Sequence, residues 1–199
     1  MPALAITGVV GSGKSEVLKR LESRLGATVF SADAENRRLL DEDFEVKQRI
    51  ISRFGPSSYL PDGKTDRNRL FELISNNPES REDLEQILHP LLEALWKPLA
   101  ERHKTRPEAF FVAEIPLLLE KQLQSFFDIT IVVGCSQIVR TRRLEEHRSL
   151  SPEQAVRWAA LQHPQDFKIA AANHLLWNDG SLNSLHLQVD FLVAQLLSR

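Results

Sequence analysis

The stretch AITGVVGSGKSEVL (residues 5–18) joins an apolar run to a helical pattern through a glycine-rich turn. Gly8, four further residues and then Gly13, Lys14 and Ser15 complete the pattern G-x-x-x-x-G-K-[ST]. In such a loop the glycines let backbone N–H groups surround a phosphate, and the following helix N-terminus adds positive partial charge. The sequence therefore predicts a phosphate-binding loop, or P-loop.

The side chains of this loop predict the ligand. We expect Lys14 to reach the β- and γ-phosphates of ATP and Ser15 to ligate Mg²⁺. The spacing differs from the G-x-G-x-x-G pattern of dinucleotide sites, which favours a nucleoside triphosphate. A glycine-rich turn with an accidental lysine is the alternative, and the predicted strand and helix on either side disfavour it. The residues predicted to bind ATP here are Gly8, Val10, Gly11, Ser12, Gly13, Lys14, Ser15 and Glu16.

Five apolar runs predict strands, at residues 4–10, 27–32, 110–115, 129–135 and 174–177. They are apolar on both faces and are separated by helix-length segments, which is typical of a parallel sheet covered by helices on both sides. The predicted class is α/β, in a single domain. We expect a core at about 1–59, 107–135 and 164–199, an inserted helical lobe at about 60–106 and a lid at about 136–163.

Composition limits the possible partners and location. The formal net charge is −2, so the chain lacks the general positive field of proteins that bind nucleic acid nonspecifically. Cys135 is the single cysteine and cannot form an internal disulfide. There is no leader pattern and no apolar run of about 20 residues, so we expect a soluble, cytoplasmic protein without a membrane segment.

Two carboxylates follow predicted strands. Asp33 ends the second strand in FSAD, and Glu114 ends the third. Parallel sheets bind ligands beyond the carboxyl ends of their strands, so Asp33 can accept the proton of an attacking hydroxyl or hold a water of the Mg²⁺ shell. An N-cap is the alternative for Asp33. Glu114 is the second candidate, with a solvated or ion-paired carboxylate as its alternative.

The predicted lid carries a basic helix face. Arg140, Arg143 and His147 are spaced i, i+3 and i+7, so they share one side of a helix. Such a face either closes over a triphosphate or is an ordinary solvated face that pairs with neighbouring glutamates. A second helix is predicted after a break at about 149–152, with Ser151 as its cap and Gln154 three residues on.

Together these motifs resemble the dephospho-CoA kinase family over nearly the whole chain. The matching segments are TGVVGSGKS (7–15), SAD (31–33), FG (54–55), DGKTDRNRL (62–70), LEQILHP (84–90), EIPLLLE (114–120), RL (143–144), Gln162 and NDG (178–180). The resemblance implies a nucleotide-monophosphate-kinase-like fold. It also implies Mg²⁺-dependent transfer of the γ-phosphoryl group of ATP to the ribose 3'-hydroxyl of dephospho-CoA.

The resemblance also implies roles for individual residues. Asp33 matches the general base, and Arg143 matches a lid arginine that contacts ATP phosphate. Asn178 and Gly180 match the loop beside the adenine. The residues that match the substrate side are Asp33, Arg67, His89, Pro116, Leu117 and Leu118. For His89 the alternative is a helix-stabilising hydrogen bond, and for at least one of the two leucines we favour core packing.

Departures from the family pattern concentrate on the nucleotide side. Glu16 replaces a threonine, and we predict that its side chain points outward while its backbone N–H serves the ligand. Ser31 replaces an aspartate, and His147 replaces a second lid arginine. These departures keep two alternatives open: a degenerate nucleotide-binding relative with a regulatory role, and a nucleoside or nucleotide kinase. We expect a monomer, with a homo-oligomer as the alternative.

Overall fold

The computed structural model describes residues 2–105, 109–148 and 151–198. Within these residues the chain forms two compact units. The sheet unit comprises Met1–Ser31 and Lys97–Arg199, and the helical unit comprises Ala32–Trp96. The bounds expected for core, lobe and lid remain predictions.

The sheet unit contains five parallel strands in the spatial order β2-β3-β1-β4-β5. They are β1 (Ala3–Thr7), β2 (Thr28–Ser31), β3 (Phe111–Glu114), β4 (Ile129–Gly134) and β5 (His174–Trp177). The prediction of a five-stranded parallel sheet flanked by helices is confirmed. Glu114 pairs in register with both Ile6 and Ser31, so the carboxyl ends of three neighbouring strands lie together.

The described residues form nine α-helices. They are α1 (Lys14–Leu25), α2 (Ala32–Glu42), α3 (Phe44–Phe54), α4 (Arg67–Asn76), α5 (Pro78–Thr105), α6 (Gln137–Arg148), α7 (Pro152–Ala160), α8 (Gln165–Ala170) and α9 (Leu182–Leu197). Short 3₁₀ turns occur at Pro56–Ser58 and Gln124–Phe126. No helix among the described residues has the length and hydropathy needed to cross a bilayer.

The core of the sheet unit lies between the sheet and the packed helices α1 and α9. Val17 and Leu21 of α1, Val189 of α9, and Leu4 and Ile6 of β1 are all fully buried in one cluster. Burial recurs every three to four residues along these helices and is continuous along β1. The continuous burial explains why an apolar run indicated a buried strand. This core fixes the start of α1 at the carboxyl edge of the sheet.

In the helical unit, capping residues set the starts of two helices. The side chain of Asp43 accepts the N–H of Val46 at 3.0 Å at the start of α3. The side chain of Asp66 accepts the N–H of Arg69 at 2.9 Å at the start of α4. Each carboxylate satisfies a helix N–H that has no partner within the helix.

Candidate active site

The glycine-rich loop lies between β1 and α1, as its sequence predicts. Gly8, Gly11 and Gly13 all have positive φ. A Cβ on Gly8 would lie 2.3 Å from the carbonyl oxygen of Val133, and a Cβ on Gly13 would lie 2.3 Å from Nδ2 of Asn178. The loop therefore needs glycine at these positions for steric as well as conformational reasons.

Lys14 is the first residue of α1 and is buried, at 6% exposure. Its Nζ donates a hydrogen bond to the carbonyl oxygen of Val9 at 3.1 Å. The ammonium group therefore lies against the loop backbone, at the positive end of α1, where an anion is favoured.

A buried carboxylate adjoins the first turn of α1. Glu114, at 1% exposure, accepts a hydrogen bond from the Ser15 hydroxyl at 3.2 Å and from the Ser31 hydroxyl at 2.8 Å. The two hydroxyl donors compensate for the loss of water around the carboxylate. Hydroxyl and carboxylate oxygens are the ligand types that Mg²⁺ takes, so this donor set fits the predicted magnesium position at Ser15. Among the described residues no cluster of three or more acidic, histidine or cysteine side chains forms an all-protein metal cage.

Arg143 reaches the loop through Asn178. Its Nη2 donates to Oδ1 of Asn178 at 3.3 Å, and Nδ2 of Asn178 donates to the carbonyl oxygen of Ser12 at 2.9 Å. Nη1 of Arg143 and Oγ of Ser12 are buried without a hydrogen-bond partner in the described part of the chain. Buried polar atoms without partners are costly, so each of the two is a candidate donor to an anion bound at the loop.

On the predicted basic face of α6, the side chain of Arg140 lies beside the loop, 3.2 Å from the position of a Cβ on Gly11. Arg142 flanks this face and is exposed, where it pairs with Glu146 at 3.8 Å. Arg143 instead points to the loop, and the neighbouring Leu144 packs against Val10. The side chain of His147 lies outside the described residues.

The segment after α6 confirms the predicted cap and adds a contact that sequence analysis missed. The Ser151 hydroxyl accepts the N–H of Gln154 at 3.2 Å, and the Gln154 side chain accepts the N–H of Ser151 at 2.8 Å. Oε1 of Gln162 accepts the N–H of Val10 at 3.0 Å. This bond joins positions 152 residues apart, so no local pattern could indicate it.

Glu16 points away from the loop, as predicted. Its Oε1 pairs with Nζ of Lys19 at 3.0 Å, and the Glu16 side chain is 44% exposed. Gly180 is exposed, beside Ser184 at the start of α9. The roles of Glu16 and Gly180 in ATP binding remain predictions.

The predicted substrate-side residues of the helical unit lie on three helices. Asp33 is the second residue of α2, although sequence analysis placed it at the end of the preceding strand. Arg67 opens α4, and its Nη2 donates to Asp41 at 2.9 Å. Burial alone would raise the pKa of Asp41, but hydrogen bonds from Thr65 and Arg67 outweigh it and lower that pKa. His89 is half-buried within α5.

The turn after β3 contains the other predicted substrate-side residues, Pro116, Leu117 and Leu118. Leu118 is fully buried, which confirms core packing for at least one of the two leucines. The carbonyl oxygen of Pro116 accepts hydrogen bonds from the Thr7 hydroxyl at 3.1 Å and from Nζ of Lys168 at 2.8 Å. Lys168 was missed because nothing in the segment QDFKIA (165–170) distinguishes it from a surface lysine.

Comparison with known proteins agrees with this geometry. A family model described as dephospho-CoA kinase matches residues 3–184. The chain is 33% identical to the dephospho-CoA kinase of Thermosynechococcus vestitus, over 94% of this chain and 91% of that protein. It is 31% identical to the dephospho-CoA kinase of Corynebacterium glutamicum, over 100% of this chain and 99% of that protein.

Solved structures show the same architecture. The crystal structure of TT1252 from Thermus thermophilus superposes with a TM-score of 0.73 at 31% identity, over 98% of this chain and 97% of that one. Dephospho-CoA kinase from Campylobacter jejuni has a TM-score of 0.61 at 25% identity, over 97% and 96%. A shikimate kinase from Acinetobacter baumannii, at 14% identity and a TM-score of 0.57, covers 100% of this chain and 94% of that one, and shows the shared P-loop kinase fold alone.

Proposed function

The chain belongs to the dephospho-CoA kinase family, and from this premise we propose that it phosphorylates the ribose 3'-hydroxyl of dephospho-CoA with ATP, which yields coenzyme A. The observation that carries the proposal is the loop after β1. There, the Lys14 ammonium lies at the N-terminus of α1, and two buried polar atoms, Oγ of Ser12 and Nη1 of Arg143, have no partner among the described residues. An ATP polyphosphate supplies the charge that this position favours.

On the nucleotide side, the loop N–H groups and Lys14 bind the β- and γ-phosphates. Arg143 donates its free Nη1 to a phosphate oxygen and so neutralises charge that develops during transfer. Asn178 holds this arginine and the loop in one hydrogen-bonded unit. Asn178 and Gly180 also line the adenine in this proposal, by resemblance to the family.

The Ser15 hydroxyl would hold Mg²⁺, with Glu114 as the adjacent carboxylate. When bound, Mg²⁺ would offset the negative charge of the phosphate groups. Ser31 donates to Oε2 of Glu114 at 2.8 Å, while the Ser15 hydroxyl lies 3.2 Å from Oε1 and 3.5 Å from Oε2 of the same carboxylate. A serine in place of the family's aspartate therefore leaves Glu114 as the carboxylate hydrogen-bonded to Ser15.

On the acceptor side, Asp33 accepts the proton of the 3'-hydroxyl as the γ-phosphoryl group transfers. Arg67, His89 and the turn at 116–118 bind the acceptor. The hydrogen bond from Arg67 to Asp41 restricts the guanidinium before any substrate arrives, which supports a binding role because less side-chain entropy is then lost.

The test is ADP release from Mg-ATP, measured with and without dephospho-CoA. We expect acceptor-dependent ADP from the native chain and a loss of about 10²–10⁴-fold in Asp33→Asn, because general-base catalysis contributes that much. Glu42→Gln is the matched control, since Glu42 is exposed at the far end of the same helix. It should retain native turnover.

Two other results would redirect the proposal. ATP binding without acceptor-dependent ADP would favour the degenerate nucleotide-binding relative. Phosphorylation of a nucleoside or nucleotide, but not of dephospho-CoA, would favour a kinase with a different acceptor.

We further propose that the protein acts in the cytoplasm as a monomer on this small-molecule acceptor. The single cysteine and the slightly negative net charge support that setting and argue against nucleic acid as a partner. Light scattering of the purified chain tests the monomer, and a mass of twice 22.7 kDa would contradict it.

A further inference from the structure

An ion pair with a fully buried lysine lies in the sheet unit, and the reaction described above does not use it. Lys168 of α8 has 0% side-chain exposure, and its Nζ lies 2.7 Å from the carboxylate of Glu120, which is 11% exposed. Burial lowers the pKa of Lys168, and the hydrogen bond and charge of Glu120 oppose that change. A buried ion pair is weak evidence for net stability, because the loss of hydration offsets the attraction.

The ammonium group also makes a contact beyond its counter-ion. Nζ of Lys168 donates to the carbonyl oxygen of Pro116 at 2.8 Å. The Thr7 hydroxyl donates to the same oxygen at 3.1 Å, and Thr7 directly precedes the first glycine of the P-loop. The carbonyl of Pro116 is therefore held by two donors, one from the P-loop strand and one from α8.

The turn that contains Pro116 lacks regular secondary structure. Residues 116–122 form consecutive turns, and Gln122 has φ 55, the one positive φ at a non-glycine position among the described residues. The backbone of such a segment is not aligned by a helix or by strand pairing. Backbone hydrogen bonds within the turn, such as those from Leu118 to Ile115 and from Leu123 to Leu118, set its local shape, and side-chain donors, of which Lys168 is a buried one, tie it to neighbouring elements.

Glu120 joins the same turn to the end of the predicted lid. Its Oε1 accepts the N–H of His163 at 2.8 Å, and the preceding Gln162 accepts the N–H of Val10 in the P-loop. The ion pair therefore lies where the turn, the segment after α7 and the P-loop meet.

We propose that Lys168 is a positioning residue that orients the turn at 116–120 for acceptor binding, with Glu120 as its counter-ion. The inference rests on the proposed function, because the turn includes the segment assigned to the acceptor. Lys168 acts through the Pro116 carbonyl and touches no substrate. Its removal changes the affinity for dephospho-CoA and leaves the affinity for the nucleotide unchanged.

The test separates the effect of losing the hydrogen bond from Lys168 to Pro116 from the effect of leaving one charge of the ion pair unpaired. Lys168→Met/Glu120→Gln removes both charges and keeps an oxygen for the His163 N–H. We expect its KM for dephospho-CoA to rise about tenfold, as for the loss of one charge-assisted hydrogen bond, with kcat and the Kd for ADP within about twofold of native. Its Tm should stay within about 3 °C of native, because no charge is left buried and unpaired.

The single variants keep the test falsifiable even where the double variant does not fold. Glu120→Gln retains the Lys168 ammonium beside Pro116, so it should lower Tm by about 5 °C and keep a KM within about twofold of native. Lys168→Met should show the tenfold rise in KM together with the lower Tm. Lys121→Met is the matched control, because it removes the same charge from an exposed position of the same turn, and it should behave as native.

A native KM for dephospho-CoA in both variants that lack Lys168 would overturn the proposal and leave the pair a purely structural element. A KM raised as much in Glu120→Gln as in Lys168→Met would also overturn it. If the native chain gives no acceptor-dependent ADP, the proposed function fails, and hydrogen exchange decides the inference. Faster exchange of the amides at 117–123 in the double variant, with α1 unchanged, would support the positioning role, and unchanged exchange there would overturn it.

Discussion

The two ends of helix α1 use similar residue types for different purposes. Each end has a glycine with positive φ, Gly13 at the start and Gly26 after the last residue. A Cβ on Gly13 would clash with Asn178, whereas a Cβ on Gly26 would meet nothing within 4 Å. Residue type alone therefore does not reveal a site, since the neighbours determine what each glycine does.

The charged residues of α1 differ in the same way. Lys14 at the start lies against the P-loop backbone, where its ammonium group donates to the carbonyl oxygen of Val9. Arg20 and Arg24, further along the helix, both donate to the carboxylate of Asp190 on α9. We therefore expect substitutions at the first end to change catalysis and substitutions at the second to change stability.

Replacement of Lys14 should show the largest effect. In Lys14→Met, kcat should fall about 10²–10³-fold, because a preorganised donor to the transferring phosphoryl group is lost, while Tm stays near native. Lys19→Met is the control, since Lys19 is exposed and pairs with Glu16. Steady-state kinetics and thermal unfolding of both variants check this, and less than a threefold loss in Lys14→Met would remove the distinction between the two ends.

Glu114→Gln tests the metal position beside the first turn of α1. The amide keeps one oxygen as an acceptor for a serine hydroxyl, presents an NH₂ group to the oxygen of the other hydroxyl, and loses the negative charge. The Mg²⁺ concentration for half-maximal activity should rise about 10–100-fold, the usual cost of losing a residue that orients a metal ligand. Titration of Mn²⁺ into the ADP complex, followed by electron paramagnetic resonance, gives a readout independent of turnover. Equal metal affinity in the two proteins would make Glu114 a purely structural carboxylate.

The two glycines provide a matched pair. Gly13→Ala should lower the free energy of unfolding by about 2 kcal/mol or more and reduce activity at least tenfold, because its Cβ displaces Asn178 from the P-loop. Gly26→Ala introduces the conformational strain without the clash. We therefore expect it to lower the free energy of unfolding by about 1 kcal/mol and to keep native activity. Urea unfolding of both variants measures the difference. Equal losses of stability would show that the contact with Asn178 has no energetic consequence.

Asp190→Asn addresses the other end of α1. The hydrogen bonds from Arg24 and Arg20 hold the pKa of Asp190 well below its usual 3.8, so the ionised carboxylate stabilises the fold above pH 3.8. This contribution is lost as the pH falls through the lower, folded-state pKa. The variant should be less stable than the native chain at pH 7, and the difference should shrink below pH 3.8, with turnover at pH 7 unchanged. A constant difference between pH 7 and pH 3 in urea unfolding would contradict this linkage.

Glu16→Thr should show the smallest effect. It restores the family's residue, but the Glu16 side chain contacts Lys19 rather than the loop. We expect the KM for ATP to change less than about threefold, in keeping with the loss of a surface pair and a favourable helix-dipole contact. A tenfold fall in that KM would mean that the glutamate repels the nucleotide.

Local sequence patterns predicted the helices and strands well where their formation depends on residues that lie close together in the sequence. Apolar runs predicted all five strands, of which the three central ones, β1, β3 and β4, are buried at every position, whereas the edge strands β2 and β5 have one buried residue each. The predicted ends were longer than observed at 8–10, where the positive φ of Gly8 ends the strand and starts the loop. The cap at Ser151 was predicted because its partner Gln154 lies only three residues away.

Contacts between distant positions were not predictable in this way. Lys168 bonds to Pro116 across 52 residues, and Arg20 bonds to Asp190 across 170. The sequence around Lys168 and around Asp190 does not distinguish these residues from lysines and aspartates that are exposed at the surface. Both contacts form because the strand order β2-β3-β1-β4-β5 brings separated segments together, with Lys168 fully buried and Asp190 24% exposed.

The sequence by itself determined the P-loop, the parallel sheet and the family, because these depend on residue spacing and periodicity within short segments. Only the tertiary structure decided which polar groups share a site. It placed Glu114 between Ser15 and Ser31, Asn178 between Arg143 and Ser12, and Lys168 beneath the turn at 116–120. The physical reason is that a buried polar group needs a partner, and packing of strands and helices remote in sequence determines which partner lies within reach.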